Sequence, residues 1–504
     1  MVPPAVSPVR KLASQTAVYG LSSIVGRFLN YLLVPLYTYT FPAGAYGVVS
    51  EFYAYAGFLA VVLAFGLETG YFRFRHRDEP TARAAYPAAL GFLLAANLAF
   101  VLAMVAVREP LARWLRYPGH ADYVVLFALI LACDAIASLP FARLRAEQRA
   151  WRFAAIKCAE ILVAITLNLA FLLGWPKAAA LWPDSLLARV YDPTMGVGYI
   201  FWANLIASGV KLLLLAPQFR GIRFRDGLPL IRPLLAYSLP MVAIGLAGMV
   251  NEMLDRAILK YLLPYDPAEN LRILGIYGAC YKLSVLMTLF VQAFRYAGEP
   301  FFFAYAGRAD AKPTYARVMH YFVIGGVLLF LAVTLYLDAF KYLIGPEYRE
   351  GLEVVPILLL ANLFLGIYVN LSIWYKLTDR TLLGAWVSIG AAALTVALNL
   401  WWIPILGYRG SAWAHLACYG GMAVVSYLLG RRYYPVPYPL GRIFAHLLCG
   451  LLLYRLDREL VGSCGWNPWT TGSALLALYL AGVSVTDFRP LWLGRRTLHQ
   501  RAPG

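Results

Sequence analysis

Ionisable side chains lie inside long apolar runs of this sequence, where a charge has to be matched by a partner or face a polar cavity. The basic ones are Arg27, Arg256, Lys282 and Arg295. The acidic ones are Glu51, Glu68, Asp134, Glu252, Asp255 and Glu299. A charge near the centre of a membrane costs several kcal/mol unless such a cavity or partner exists. Several guanidinium groups with a lysine suit a phosphate or diphosphate, because guanidinium binds phosphate oxygens in a bidentate manner.

Each of these charges has a simpler explanation as well. Three pairs are spaced for mutual neutralisation: Lys157 with Glu160, Asp255 with Arg256, and Arg295 with Glu299. Lys211 and Glu68 lie close enough to the ends of apolar runs for their charged groups to reach the membrane surface. Arg27 has no acid three or four residues away in sequence, which favours a functional role. His415 is more simply explained as a packed histidine than as a proton switch.

The composition shows which elements must hold these charges. The chain has 504 residues, of which 61% are hydrophobic and only 14% charged, and its mean hydropathy is +0.64. Soluble proteins have about 45–50% apolar and about 25% charged residues. The chain is therefore predicted to be a polytopic membrane protein, which excludes a secreted disulfide scaffold, a disordered regulator and an enzyme with a single anchor. Its six cysteines form no C-x-x-C pair, so we expect neither a metal site nor a cofactor.

Apolar runs of about 20 residues, the length that crosses a bilayer, recur along the whole chain. We place fourteen spans near residues 13–38, 46–72, 85–107, 121–142, 153–175, 196–217, 234–263, 273–303, 318–338, 354–374, 381–402, 410–430, 441–455 and 469–486. The predicted fold class is an all-α integral membrane protein of about 14 transmembrane helices.

An internal repeat divides the spans into two sets. Residues 46–72 align without a gap on residues 277–303, and the alignment places Tyr46-Gly47 on Tyr277-Gly278 and Glu68 on Glu299. Six spans separate the two copies, so both copies have the same orientation in the membrane. This predicts two pseudo-symmetric six-helix lobes around a central cavity. The predicted bounds are 1–225 for the N-lobe, 226–430 for the C-lobe, and 431–504 for two C-terminal helices and a tail.

The basic residues predict the orientation. The chain carries 44 Lys and Arg against 26 Asp and Glu, a formal net charge of +18. The excess lies mostly in alternate loops, the heaviest being RFRHRDEPTAR and ARLRAEQRAWR, which places these loops and both termini in the cytoplasm. A nucleic-acid binder would cluster its cations on one face, so no nucleic-acid partner is expected.

Several segments resemble bacterial oligosaccharide flippases, the Wzx-type polysaccharide (O-antigen) transporters of the multidrug/oligosaccharidyl-lipid/polysaccharide (MOP) exporter superfamily. They are YGLSSIVGRFLNYLLVPLYTYTFPAGAYGVVSEF with GLETGYFRF, and SLPMVAIGLAGMVNEMLDRAILKYLL with YGACYKLSVLMTLFVQAFRYAGEPFFF. The resemblance covers about residues 10–430. It implies that an undecaprenyl-diphosphate-linked oligosaccharide is moved from the cytoplasmic to the outer leaflet of the bacterial inner membrane by alternating access, for lipopolysaccharide or other surface polysaccharide.

The resemblance also implies roles for the charged residues. Arg27, Arg256, Lys282 and Arg295 would contact the diphosphate or sugar. Glu68 and Glu299, at the repeated motif, would serve in gating or ion coupling. Four further acids are candidates for the same role because they lie within apolar runs: Glu51, Asp134, Glu252 and Asp255. The return step would be coupled to a Na⁺ or H⁺ gradient or to the membrane potential. The expected partners are the lipid-linked oligosaccharide, membrane lipids and a polysaccharide polymerase or export machinery.

Other functions remain open on the sequence. A lipid II flippase would share the fourteen spans and a cationic cavity, whereas a multidrug antiporter more often has twelve spans and an acid-dominated cavity. A polytopic glycosyltransferase or polymerase would need acids in an early external loop or one long external loop. The first external loop, Thr38–Ala45, has no acid, and no catalytic constellation is present, so we expect no enzyme. Candidates for sugar stacking are Tyr31, Tyr53, Tyr55, Tyr281 and Trp374.

Overall fold

The computed structural model describes residues 24–488, and the regular elements of this part of the chain are all helices. Twelve of the described helices are long and apolar enough to cross a membrane. They are α2 (Ala43–Arg75), α3 (Glu79–Ala106), α4 (Ala121–Ala146), α5 (Ala150–Leu181), α6 (Gly198–Phe219), α7 (Phe224–Leu262), α8 (Pro267–Tyr305), α9 (Ala311–Leu335), α10 (Pro346–Leu377), α11 (Thr381–Leu406), α12 (Tyr408–Tyr433) and α14 (Pro468–Asp487).

Two further helical segments correspond to the other predicted spans. The first, α1, comprises helical residues 24–31 followed by Leu33–Thr40. The second, α13, runs from Leu440 to Gly462. The beginning of the first predicted span, residues 13–23, lies outside the described residues. The predicted all-α membrane fold is confirmed, and its fourteen spans agree with the helices that are described.

Helix boundaries follow from local chemistry. Asp78 caps α3, because its carboxylate accepts the backbone N–H of Thr81 at 3.2 Å. Hydrogen bonds from Thr81, first from its hydroxyl and then from its backbone, lower the pKa of Asp78 below its usual value. Asn467 caps α14 in the same way through the N–H of Trp469 at 2.9 Å. Gly407, with φ of 60°, allows the abrupt turn between α11 and α12.

α2 is interrupted once, two thirds of the way along. Phe65 and Gly66 both have left-handed backbone conformations, with φ of 50° and 63°. A Cβ atom on Gly66 would lie 2.6 Å from the carbonyl oxygen of Ser238 in α7. The segment after the break, Leu67–Arg75, is therefore fixed closely against α7.

Glycines bring α2 and α8 together at the end of the helices predicted to face outward. A Cβ on Gly275 would lie 1.9 Å from the carbonyl oxygen of Ala43, and a Cβ on Gly47 would lie 2.1 Å from that of Leu271. Gly278 approaches the hydroxyl of Ser50 in the same way, with its Cβ position at 2.3 Å. Small residues let membrane helices approach this closely. The repeated Tyr-Gly segments of the sequence thus pack against one another.

The described helices form two compact units. The first contains the described residues up to Ala279 together with Ala385–Ala414, and the second contains Cys280–Gly384 and the described residues from His415 onward. α7, the beginning of α8 and most of α11 therefore pack with α1–α6. The bounds 1–225, 226–430 and 431–504 stay a prediction from the sequence repeat. The compact units group helices by their contacts, whereas the predicted lobes group them by sequence symmetry.

Candidate functional site

A buried carboxylate, Glu51, is the centre of the first polar cluster, which we call the Glu51 cluster. Its other members are Tyr55 of α2, Tyr117 of the segment between α3 and α4, and Lys260 and Tyr261 of α7. The Lys260 ammonium lies 2.7 Å from Glu51 Oε2, and Tyr117 donates its hydroxyl to the same oxygen. Tyr55 and Tyr261 donate to Oε1 at 2.7 and 3.2 Å. All the acceptor sites of the carboxylate are thus occupied.

The ion pair at the centre of the cluster is shielded from solvent. The side chains of Lys260 and Glu51 are 4% and 0% exposed. Lys260 also donates to the backbone carbonyl of Leu115 at 2.8 Å. Burial, and next to it the Glu51 charge, raise the pKa of Tyr117 far above its usual value, so Tyr117 stays a donor. The cluster therefore connects α2, α7 and the α3–α4 segment at the predicted outer end.

A second polar network, the Asp134 network, lies near the middle of α4, α5 and α6. Lys211 of α6 is its centre, with its ammonium 2.6 Å from Asp134 of α4 and 2.6 Å from Glu160 of α5. Glu160 also accepts from Lys157 at 3.2 Å, and Asp134 accepts from the hydroxyl of Ser208 at 2.7 Å.

The members of this network differ in their exposure. The Lys211 side chain is 3% exposed, while that of Asp134 is 46% exposed. Two carboxylates share one buried ammonium, so protonation of Asp134 or its binding of a cation leaves Lys211 bound to Glu160 alone. The expectation that Lys211 extends to the membrane surface is wrong, because it turns inward to two acids that stand far away in the sequence. The expected pairing of Lys157 with Glu160 is present.

Three predicted site residues lie together on α7. Asp255 is fully buried and accepts the hydroxyl proton of Tyr277 at 2.6 Å. The Arg256 guanidinium lies 3.5 Å from Asp255 and donates to the backbone carbonyl of Glu252. The predicted pairing of Asp255 with Arg256 is thus present. Because the Arg256 side chain is 10% exposed, a substrate could reach it only after a rearrangement.

The second unit holds the remaining predicted residues of α8. Lys282 is partly buried and Arg295 is exposed. Glu299 pairs with Lys376 of α10, whereas sequence spacing suggested a pair with Arg295. That suggestion is wrong because Lys376, distant in sequence, occupies the carboxylate. The Arg295 guanidinium is accessible to a ligand.

Arg27 and Glu68 belong to the first unit. Arg27 lies in the helical residues 24–31 and is exposed. Glu68, just after the break in α2, pairs with Arg145 at the end of α4 at 2.6 Å. The structure thus places the charges predicted from the sequence in separate groups within each unit. Their roles in binding or gating stay a prediction.

Sequence reasoning missed Lys260, Tyr117 and Lys376. Lys260 stands three residues before the end of the predicted span, a position usually explained as snorkelling to the membrane surface. Its partner is Glu51, and no short-range pattern connects residues so far apart. Of the aromatic candidates, Tyr55 belongs to the Glu51 cluster. Trp374 is buried and donates its indole N–H to the Ser426 carbonyl at 3.3 Å, which indicates packing.

These helices define a polytopic membrane protein with buried ion pairs between its spans. Residues 12–304 match the family described as polysaccharide biosynthesis protein. The match covers more than half of the chain, and the chain belongs to this family. No curated protein sequence matches the chain significantly.

Solved structures are similar over nearly the whole chain. The lipid II flippase MurJ, in an inward closed conformation, is 12% identical with a TM-score of 0.66, over 92% of this chain and 98% of that one. An inward-facing multidrug resistance MATE family transporter of the MOP superfamily is 16% identical with a TM-score of 0.62, over 86% and 98%. An outward-facing MATE transporter is 15% identical with a TM-score of 0.56, over 88% and 99%. The chain therefore has the fold that these transporters share.

Proposed function

We propose that this protein moves a polyprenyl-diphosphate-linked oligosaccharide from the cytoplasmic to the outer leaflet of the bacterial inner membrane, for surface polysaccharide synthesis. The observation that carries this proposal is the exposure of Arg295 within the membrane-spanning helix α8. An exposed arginine at such a depth requires a water-filled path or an anionic partner. A diphosphate bound to lipid supplies that anion, and the family description supports a substrate from polysaccharide synthesis.

In this proposal the protein works by alternating access, and the Glu51 cluster takes part in it. The Glu51 cluster is the outer gate in this proposal: its four donors hold α2 and α7 together while the substrate enters from the cytoplasmic side. Opening requires Lys260 to separate from Glu51. The Lys260 ammonium then becomes available to the diphosphate, which replaces the carboxylate as its partner.

The Asp134 network is the proposed coupling site. Because Asp134 is half exposed while Lys211 is buried, a proton or Na⁺ can reach the carboxylate. Its binding would weaken the attachment of α6 to α4 and so connect an ion gradient to helix movement. Transport then needs no catalytic step, no cofactor and no enzyme activity. Both termini are cytoplasmic in this arrangement, and a polymerase or export machinery receives the product.

A lipid II flippase is the second candidate, because the fold of MurJ is present and lipid II carries the same diphosphate chemistry. The two candidate substrates differ in the glycan that they carry, but both contain a diphosphate. The basic residues on α1 and α8 favour either of them over an antiporter for cationic drugs.

Deletion of the gene in the source cell tests the proposal. We expect a finished lipid-linked oligosaccharide to accumulate on the cytoplasmic face while surface polysaccharide is lost. Leaflet position is measured by the access of a membrane-impermeant glycan-modifying enzyme to intact and opened cells, and the glycan is identified by mass spectrometry. The wild-type gene should restore export.

Accumulation of lipid II would assign the second candidate instead. Normal lipid-linked glycans with altered sensitivity to cationic drugs would contradict a flippase.

A further inference from the structure

Two histidines and an aspartate meet in the second unit. His320 lies on α9, His446 on α13 and Asp487 at the end of α14. The Asp487 carboxylate accepts from both rings, with Oδ1 2.6 Å from His320 Nε2 and Oδ2 3.2 Å from His446 Nε2. One ligand atom from each residue lies within 4.8 Å of the other two.

The three side chains are largely shielded from solvent. Those of His320, His446 and Asp487 are 7%, 13% and 3% exposed. Within residues 24–488 this is the one cluster of three such ligands that is compact enough for a shared ion. We propose that His320, His446 and Asp487 bind a divalent transition-metal ion of the zinc class.

The donor set fits this ion. Zinc takes imidazole nitrogen and carboxylate oxygen at about 2.0–2.2 Å, and a tetrahedral site holds its ligand atoms about 3.4 Å apart. The Asp487 oxygens lie 2.6 and 3.2 Å from the two ring nitrogens, and all three ligand atoms lie within 4.8 Å of one another, so binding an ion requires the side chains to adjust. Calcium and magnesium prefer sites built from oxygen ligands, and two imidazoles disfavour them.

Neighbouring groups orient two of the three ligands, His446 and Asp487, as second partners do in known metal sites. The other ring nitrogen of His446, Nδ1, lies 3.4 Å from the hydroxyl of Tyr479. The Thr486 hydroxyl donates to Asp487 Oδ2 at 2.5 Å. His320 Nδ1 is buried without a hydrogen-bond partner, so this ring can rotate without losing a second bond.

A cavity of about 380 Å³ gives access to the cluster, and His320 and Asp487 form part of its wall. Arg317 and Arg442 line the same cavity. Their positive charges favour an anion, such as hydroxide, as the fourth ligand of the metal. The site would fasten α13 and α14, which lie outside the internal repeat, to α9.

Metal binding to the purified full-length protein tests the proposal. The protein carries an affinity tag without histidine, is stripped with a chelator, and is titrated with Zn²⁺ alone. We expect one zinc ion per chain, a rise in Tm with Zn²⁺, and an absorption spectrum of four-coordinate Co²⁺ after cobalt replacement. His446→Gln and Asp487→Asn should each weaken binding by at least about tenfold. His120→Gln, in a loop of the other unit, is the matched control and should bind like the wild type.

Two results would overturn the proposal. One is a wild-type protein that binds neither Zn²⁺ nor Co²⁺, or that binds Co²⁺ only with the spectrum of a six-coordinate ion. The other is unchanged zinc affinity in the folded His446→Gln and Asp487→Asn proteins. The wild-type cobalt spectrum decides the question even where a variant fails to fold.

Discussion

At the scale of single residues, Glu51 shows how this protein keeps a carboxylate away from water. One ammonium and three hydroxyls donate to this carboxylate. One donor lies on α2, one on the α3–α4 segment and two on α7. Removing one partner of a buried ion pair costs more than removing both, because the remaining charge is left uncompensated.

This asymmetry gives a first prediction. Lys260→Met should lower the free energy of unfolding by about 3–5 kcal/mol, because Glu51 stays buried without its cation. The double variant Lys260→Met/Glu51→Gln should recover most of this loss. Thermal unfolding of the purified protein in detergent measures both. Lys341→Ala breaks a pair with Asp338 that is largely exposed, so it should change stability by less than about 1 kcal/mol.

A double variant as unstable as Lys260→Met would show that Lys260 acts by packing and not by compensating charge. The conclusion that the cluster is held by its ion pair would then be lost.

The Asp134 network gives a second prediction. Asp134→Asn should abolish the dependence of transport on the driving ion gradient while the protein remains in the membrane, because the half-exposed carboxylate that takes the ion is gone. Transport of lipid-linked glycan into the outer leaflet, measured at several pH values and Na⁺ concentrations, checks this. Ser208→Ala removes a single hydrogen bond to the same carboxylate and should leave the ion dependence intact. Equal ion dependence in Asp134→Asn and the wild type would exclude Asp134 as the coupling group.

The exposed arginines give a third prediction. Arg27→Ala and Arg295→Ala should each reduce glycan export by at least about tenfold, since a lost charge-assisted contact to phosphate is worth about 1.5–3 kcal/mol. Arg27→Lys and Arg295→Lys should retain part of the activity. Complementation of the deletion strain, with membrane levels measured by blotting, gives the result. Arg83→Ala, at an exposed arginine near the start of α3, is the control. Full export by Arg27→Ala would exclude a cationic contact there.

Residue types could be predicted from the sequence better than residue partners. Asp134, Glu160 and Lys211 were all recognisable as charges within apolar runs. Their mutual contact was not, because it depends on how α4, α5 and α6 are packed. The pairing of Glu299 with Lys376 could not be predicted for the same reason. Sequence spacing suggested Arg295 as the partner, because it lies only four residues away.

At the scale of helices, the contact between α2 and α8 depends on the absence of side chains. Gly275→Ala should destabilise the protein by about 1–3 kcal/mol, because its methyl group would overlap the Ala43 carbonyl and force the helices apart. Gly248→Ala is the matched control: it lies in α7 of the same unit with open space around its Cβ position, and should be neutral or stabilising. Thermal unfolding compares them. A Gly275→Ala protein as stable as Gly248→Ala would mean that the close approach is dispensable.

Helices were predictable to within several residues because apolar runs of membrane length leave little choice of structure. The full length of the helices could not be predicted from these runs. α8 extends over 39 residues, whereas the apolar run suggested 273–303. Its first turns, which are polar, are also helical. The interruption at Phe65 and Gly66 was not predicted either, because a single glycine inside an apolar run is tolerated within a helix.

At the scale of the whole molecule, the arrangement of basic loops predicts cytoplasmic termini. Cys464, exposed between α13 and α14, then faces outward. A membrane-impermeant maleimide should label Cys464 in intact cells. Cys464→Ser should abolish this labelling, and His76→Cys, at an exposed position in the first basic loop, should react only after the cells are opened. Labelling of the His76→Cys site and not of Cys464 in intact cells would reverse the predicted orientation.

The left-handed Phe65 in α2 has an energetic consequence for the movement of this helix. A residue with a side chain costs roughly 1–2 kcal/mol in that conformation. The interrupted helix therefore holds conformational strain. The packing of Gly66 and Leu67–Arg75 against α7 maintains this strained conformation. Once α2 and α7 separate, straightening releases this energy and favours the continuous helix by roughly tenfold per 1.4 kcal/mol. In the proposed transport cycle, backbone strain would thus assist opening on that side, so that less of the required free energy has to come from binding of the substrate.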